Sequence, residues 1–293
     1  MTLQLPSYAV VTPVRNEAEN LPRLAASLAA QAHRPLLWLI VDTGSTDETT
    51  ELAHLLAAES ERIRLLALPP DPGLARGGPI SRGFQAGFHA LGVEPDFVVK
   101  LDADLSFDER YFAGIAAEFA ADSKLGMASG TCFELDGDTW RERFVTGSTV
   151  WGASRAYRRE CLLQVLPLEE RMGWDGVDEF RANARGWRTR TFRQLAFRHH
   201  RREGERDGGR LRARRAQGNA AHYIGYRFWY LVARSLWHAR REPAALAMIW
   251  GYVEAGLRRD PRAGDEEARA YLRRQQSLLN LPHRALEAAG RRV

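Results

Sequence analysis

Val98-Val99-Lys100-Leu101-Asp102-Ala103-Asp104-Leu105 is the stretch on which the reading of this chain turns. Phe97 to Val99 is a short apolar run of the kind that forms a buried strand, and it leads straight into two acids one residue apart. At a strand end both carboxylates can project into one crevice. Carboxylate oxygens suit hard cations such as Mg²⁺ or Mn²⁺, which commonly bind substrate phosphates as well. Ligands of open α/β sheets sit at the carboxyl ends of strands, where this pair lies. Acids so spaced also make solvated turns and helix caps, so the weight of the pair comes from its neighbours.

Upstream, Tyr8 to Thr12 reads as a first strand ended by Pro13. Leu21, Leu24 and Leu28 follow at helical spacing, with Asn20 placed to cap and Pro22 in the first turn. Leu37 to Val41 reads as a second strand, and Asp42-Thr43-Gly44-Ser45-Thr46-Asp47 turns the chain into a helix carrying Leu52, Leu55 and Leu56. Ile63 to Leu68 reads as a third strand, Pro69 to Gly78 as a loop, and Ser81 to Leu91 as a helix leading to the acidic pair. Strand and helix alternate, as at the start of a right-handed, doubly wound sheet.

The bulk properties set bounds. The 293 residues are 45% hydrophobic and 27% charged, an ordinary globular balance, and suit one large α/β domain with an appended segment or two small domains. Forty-two Lys and Arg against 37 Asp and Glu give a net charge of +5, which favours anionic partners without choosing among them. Two cysteines, Cys132 and Cys161, are too few for a disulfide framework or a cysteine metal site. The first residues lack the pattern of a signal peptide, and no apolar run approaches the ~20 residues that span a bilayer. The expected location is therefore the cytoplasm.

Three segments, Thr12-Pro13-Val14-Arg15-Asn16-Glu17, Ile40 to Asp47 and Asp102-Ala103-Asp104, together resemble the nucleotide-sugar half of family 2 glycosyltransferases. The resemblance covers about residues 7–200 and implies a GT-A fold: a Rossmann-like α/β domain with a mixed, mostly parallel sheet, followed by a C-terminal helical segment. It divides the chain into a GT-A domain, 1–200, and a basic loop with helical extension, 201–293. Within the former, 1–107 forms the nucleotide-binding half and 108–200 the acceptor half. It implies a nucleotide-sugar donor, a UDP-sugar first of all, and Mn²⁺ or Mg²⁺ as cofactor. Thr12, Pro13, Arg15 and Glu17 would lie along the donor, Asp42 would pair with the base, and Asp102 would meet the ribose or the metal. Asp104 would ligate the metal. Thr43 stands where the family often has a second acid, and Phe84-Gln85-Ala86-Gly87 replaces a common Arg-Asn pair. Arg76 or Arg82 is then the candidate charge for the diphosphate.

Farther on, Tyr111, Ile115 and Phe119 predict a helix, Met127 to Phe133 a strand, and Leu135 to Trp140 a turn. Trp151 to Arg159 resembles the family's wall of the donor sugar and acceptor, with Trp151 either stacked on a sugar or part of the core. Counting back from Gly186-Trp187 puts Asp175 on the family's catalytic acid and Arg181 on its basic partner. Asp178, also near the helix start, is the alternative. An inverting transfer needs a carboxylate to take the acceptor's proton, while a metal neutralises the leaving diphosphate. Thr189 to Phe197 predicts a strand ending near His199 and His200, either of which is a candidate metal ligand.

Arg198 to Arg215 is rich in arginine and glycine and predicts a loop over the cleft, or a solvated face. From His222 onward, aromatics alternate with arginines in helical segments, and the last helix is expected over Glu266 to Leu281. These segments suit packing on the catalytic domain, a homodimer, or peripheral contact with a membrane near a lipid-linked or carbohydrate acceptor. A sugar nucleotidyltransferase is a rival, but its glycine- and arginine-rich phosphate loop is absent after the first strand. A noncatalytic nucleotide-sugar-binding protein is another, against which the intact acids argue. No recognition motif supports nucleic-acid binding.

Overall fold

The computed structural model describes residues 4–280 except 72, 75, 76, 144–147, 202–208 and 241, together with 282 and 286. Apolar runs make the first strands, and all but the third are buried on both faces. These are β1 (Tyr8–Val14), β2 (Leu37–Asp42), β3 (Ile63–Ala67) and β4 (Phe97–Leu101), of which β3 is the half-covered edge. Helices α1 (Leu21–Ala29), α2 (Thr49–Glu59) and α3 (Gly78–His89) connect them. Alternate residues go to opposite faces of the sheet, as the pleat requires. Tyr8, Val10, Trp38, Ile40, Phe97 and Val99 enter one core cluster; Ala9, Val11, Leu39, Val41 and Val98 enter another.

The second half inserts strands into the same sheet. It comprises β5 (Leu105–Phe107), α4 (Tyr111–Ala121), β6 (Leu125–Asp136), β7 (Thr139–Arg143), β8 (Ser154–Arg158), α5 (Arg159–Val165), α6 (Trp174–Ala184) and β9 (Arg188–His199). The order is β3-β2-β1-β4-β8-β6-β9-β5, with β7 paired to β6. The pairs β1–β2, β1–β4, β2–β3 and β6–β9 are parallel, whereas β8 runs antiparallel to both β4 and β6. One mixed sheet thus crosses both halves, and β8 brings the segment before it alongside the end of β4.

Three sequence expectations change. Ser154 to Arg158, read as part of a wall, is a central strand. The predicted turn near residues 135–140 is tighter, a β6–β7 hairpin turning at Gly137, where φ is +63°. The arginine-rich stretch 198–215 is not all loop: β9 reaches His199, and α7 (Arg210–Ile224) begins at Arg210.

Helix α7 is followed by α8 (Phe228–Ala239), a 3-10 turn (Pro243–Leu246), α9 (Ala247–Leu257) and α10 (Glu266–Gln275). Val177 of α6 packs with Tyr223, Ile224 and Leu272. Each fully buried side chain of this size contributes about 1.5–3 kcal/mol, enough to hold α7 and α10 on α6. Arg181 reinforces the contact by pairing with Asp265, 2.9 Å away, and with Glu169, 2.6 Å away. Among the described residues no helix is long and apolar enough to cross a membrane.

Candidate active site

The carboxyl ends of β1, β2 and β3 open into a shallow cleft lined by Arg15, Thr43, Leu68, Asp71, Pro79 and Arg82, among others. Helix α3 can lie this close to the strand tips because Gly83 leaves room. A methyl there would come within 3.1 Å of both Pro13 and the Thr43 methyl. Pro13 is buried, and Thr12 is wholly buried with its hydroxyl accepting from Trp38 Nε1 at 2.9 Å. Of the β1 residues expected along a donor, only Arg15 faces the cleft. Arg82 also lines it and bridges Asp71 and Glu170. Arg76 lies outside the described residues.

Asp42 turns inward. Its Oδ1 accepts from the Gly44 and Ser45 amides (3.1 and 2.9 Å) and from the Ser45 hydroxyl (2.8 Å), and Oδ2 accepts from Thr50. With Asp42 3% exposed, the strand-tip side chain left facing the cleft is Thr43. Both oxygens of Asp42 thus hold the turn. Glu17 is likewise buried and makes a two-pronged pair with Arg201 at 3.0 and 2.8 Å, so it ties the β1 loop to the end of β9.

The two strand-end acids differ in surroundings. Asp102 is the more open, with its side chain 27% exposed, and it pairs with the buried ammonium of Lys100. Burial raises its pKa, Lys100 opposes this, and the neighbouring Asp104 adds to the rise. Asp104 is buried, and burial works against its charge, but His199 and Arg201 outweigh that and hold its carboxyl below the usual range. Its Oδ1 lies 3.3 Å from His199 Nε2, close enough for charge attraction but without hydrogen-bond alignment to any described residue. His199 also approaches Glu134 at 3.7 Å and Cys132. Burial opposes its charge, yet these partners push its pKa up to about 12. His200 points elsewhere: its Nε2 meets the Ser106 hydroxyl at 2.7 Å and its ring packs edge-on to Trp140. Between the two candidate histidines, the structure brings His199 to the acids.

Helix α6 supplies the candidate base. Its two acids near the N-terminus differ in exposure. Asp178 is 1% exposed, accepts from Arg155 Nε and Nη2 at 3.1 and 2.9 Å, and accepts from the Tyr157 hydroxyl at 2.5 Å. So held, its carboxylate is closed off from solvent. Asp175 is half-exposed and leans over Gly152, where a methyl would come within 2.9 Å of Oδ2. The Gly152 carbonyl accepts from Lys100 Nζ at 2.8 Å, and Lys100 pairs with Asp102. Asp175 and the acidic pair are thus linked through one glycine and one lysine. Arg181, expected beside Asp175, is committed to Asp265 and Glu169 instead.

The residue that sequence reasoning missed is Arg155. It is fully buried and donates to the Val150 and Asp175 carbonyls (2.6 and 2.5 Å) as well as to Asp178, so it fastens the start of α6 to the segment before β8. The alternation Ser154-Arg155-Ala156-Tyr157 was the signal: an arginine at an inward strand position calls for buried acids, and Asp178-Glu179 is such a pair. Trp151 packs against the sheet core, with its indole N–H buried and unpartnered among the described residues.

Residues 9–167 match the profile described as glycosyl transferase family 2. Glycosyltransferase AglD of Haloferax volcanii is 34% identical over 164 residues, 53% of this chain but 24% of that protein, so the chain matches about a quarter of its length. A mannosyltransferase of Pyrobaculum calidifontis, solved with GDP-Man and Mn²⁺, superposes with a TM-score of 0.58 at 17% identity, covering 98% of this chain and 84% of that one. GalNAc-T7, solved with UDP, GalNAc and Mn²⁺, superposes with a TM-score of 0.62 at 11% identity, covering 97% of this chain and 58% of the other. The fold is that of GT-A glycosyltransferases.

Proposed function

The chain belongs to glycosyl transferase family 2, and on that premise we propose that it moves a sugar from a nucleoside diphosphate to an acceptor hydroxyl with inversion, aided by a divalent cation. The observation that carries this reading is the placement of Asp175 beside the strand-end acids through Gly152 and Lys100. The nucleoside lies in the cleft between Arg15, Thr43 and Arg82, with its diphosphate toward Asp102 and Asp104. Solved relatives of the same fold carry GDP-Man or UDP, which supports a nucleotide-sugar donor of either base class.

The donor set fits a divalent cation: Asp104 offers a buried Oδ1 without a hydrogen-bond partner among the described residues, flanked by Asp102 and by His199 Nε2. Carboxylate oxygens suit Mn²⁺ or Mg²⁺, His199 could join them only by giving up the proton its acidic neighbours hold on it, and a bound cation would neutralise charge on the leaving diphosphate. The protein's own groups do the rest. Asp175 accepts the proton of the acceptor hydroxyl as that oxygen bonds to the anomeric carbon. The bond from this carbon to the diphosphate oxygen breaks, and its electron pair leaves with the nucleoside diphosphate. A single displacement from the face opposite the leaving group inverts the centre. The positive end of α6 favours the ionised carboxylate at rest.

A melting-temperature panel of UDP-, GDP- and dTDP-sugars with Mn²⁺ tests the reading. A donor at a hundredfold its Kd stabilises the native state by about 2.7 kcal/mol, a shift of a few degrees. One class should raise the melting temperature, and EDTA or Asp104→Ala should remove the rise. No shift with any donor would contradict donor binding; an equal shift in EDTA would take the cation out of the account.

A further inference from the structure

Helices α8 and α9 form a hairpin whose inner side is fully used. Leu231 and Met248 pack with Ala221 of α7, and the Tyr252 hydroxyl donates to the Tyr226 carbonyl at 2.8 Å. The outer side is apolar as well. On α8, Trp229, Leu236 and Trp237 face solvent, Trp237 being 57% exposed. From Leu246, just before α9, through Trp250, Val253 and Leu257 on it, exposed apolar residues recur at intervals of four, three and four, a single stripe, with Trp250 64% and Leu257 80% exposed. Eight of the seventeen large exposed hydrophobics among the described residues fall within positions 228–257. So dense a concentration is a patch rather than the scatter expected of any surface.

The charge around the patch selects what covers it. Residues 226–259 carry six arginines and two acids. Both acids are already held: Glu242 by Arg214, Glu254 by Arg215 and Arg258. No acid lies between Arg227 and Arg240, and the Arg240 guanidinium stands 4.5 Å from the centre of the Trp237 ring. We propose that this outer face docks on a bilayer surface carrying anionic headgroups, with the tryptophans at the headgroup level and the arginines on the phosphates. Tryptophan favours that depth because its body is apolar and its N–H polar, and arginine stems lie along apolar surface while their heads reach the anions. A second copy is a poorer occupant, since a two-fold contact on this face would set the same arginines against one another. The inference rests on this surface alone and needs neither donor nor catalysis.

Flotation of the full chain with vesicles is the test. With phosphatidylcholine–phosphatidylglycerol vesicles at low salt the protein should float, and with phosphatidylcholine alone, or at high salt, it should not. Trp237→Ser with Trp250→Ser should cut the floated fraction by about tenfold while leaving the melting temperature unchanged, because both rings are exposed. Arg240→Gln with Arg259→Gln should weaken flotation at low salt. Three outcomes would overturn the proposal: protein that stays at the bottom with anionic vesicles at low salt, a double tryptophan variant that floats like the parent, or a dimer by light scattering that those tryptophan substitutions dissolve.

Discussion

Asp42 stands at the end of β2 and holds the turn that follows it. Its carboxylate is spent on the turn into α2, with four donors around it. Asp42→Ala should therefore cost about 1–3 kcal/mol of stability, since amides buried at the turn lose a charged acceptor. Thermal unfolding and donor titration on the same variant would check this: stability should fall while the cation-dependent part of donor binding persists. Glu179 is a second residue with a defined cost. Burial, and then the neighbouring Asp178, push it up to about 7 against the pull of Arg155. Its folded pKa is above the ordinary 4.5, so the folded state holds this proton more tightly. The stability it gives is complete below about 4.5 and is lost as pH climbs through about 7. Glu179→Gln should remove that loss, narrowing the gap between melting temperatures at pH 5 and pH 8 by the equivalent of about 2 kcal/mol.

Among the elements, β1, β2 and β4 were legible because each is a short apolar run, covered on both faces and too short for a helix. β8 was not legible, since two of its five residues are arginines. One of them is neutralised by Asp178, twenty-three positions away, and the local alternation does not say where that partner lies. The same holds for Arg181, whose partner Asp265 lies 84 positions downstream. The acidic pair, by contrast, was singled out by its place at a strand end and Asp175 by the family resemblance; the structure links them through Gly152 and Lys100, and it buries Asp178, which the sequence left open. The C-terminal helices hold together through backbone contact: Gly218 of α7 lies against the Met248 carbonyl, and Gly251 of α9 against the Arg215 carbonyl, with no room for a methyl. Gly251→Ala should cost about 1–3 kcal/mol despite the better helix propensity of alanine. Gly256→Ala, whose nearest neighbour would be His222 Nε2 at 3.8 Å, should instead stabilise by up to about 1 kcal/mol. Unfolding curves for the pair separate contact from propensity.

At the scale of the molecule, one sheet runs through both halves, and the C-terminal helices pack on α6, which carries Asp175. The helical extension therefore braces the proposed base as well as presenting an apolar outer face. Everything in the proposed transfer depends on Asp175 staying partly open, linked to Asp102 through Gly152 and Lys100, while Asp178 stays locked to Arg155. The most direct measurement is the rate of nucleoside diphosphate release from the donor found by melting, with water as acceptor, for the parent, Asp175→Asn and Asp178→Asn, scaled to folded protein. Asp175→Asn should lower that rate by roughly 10²–10⁴, the range general-base catalysis supplies, with donor affinity nearly unchanged. Asp178→Asn should act mainly on melting temperature. Release by Asp175→Asn at the parent's rate would contradict the account.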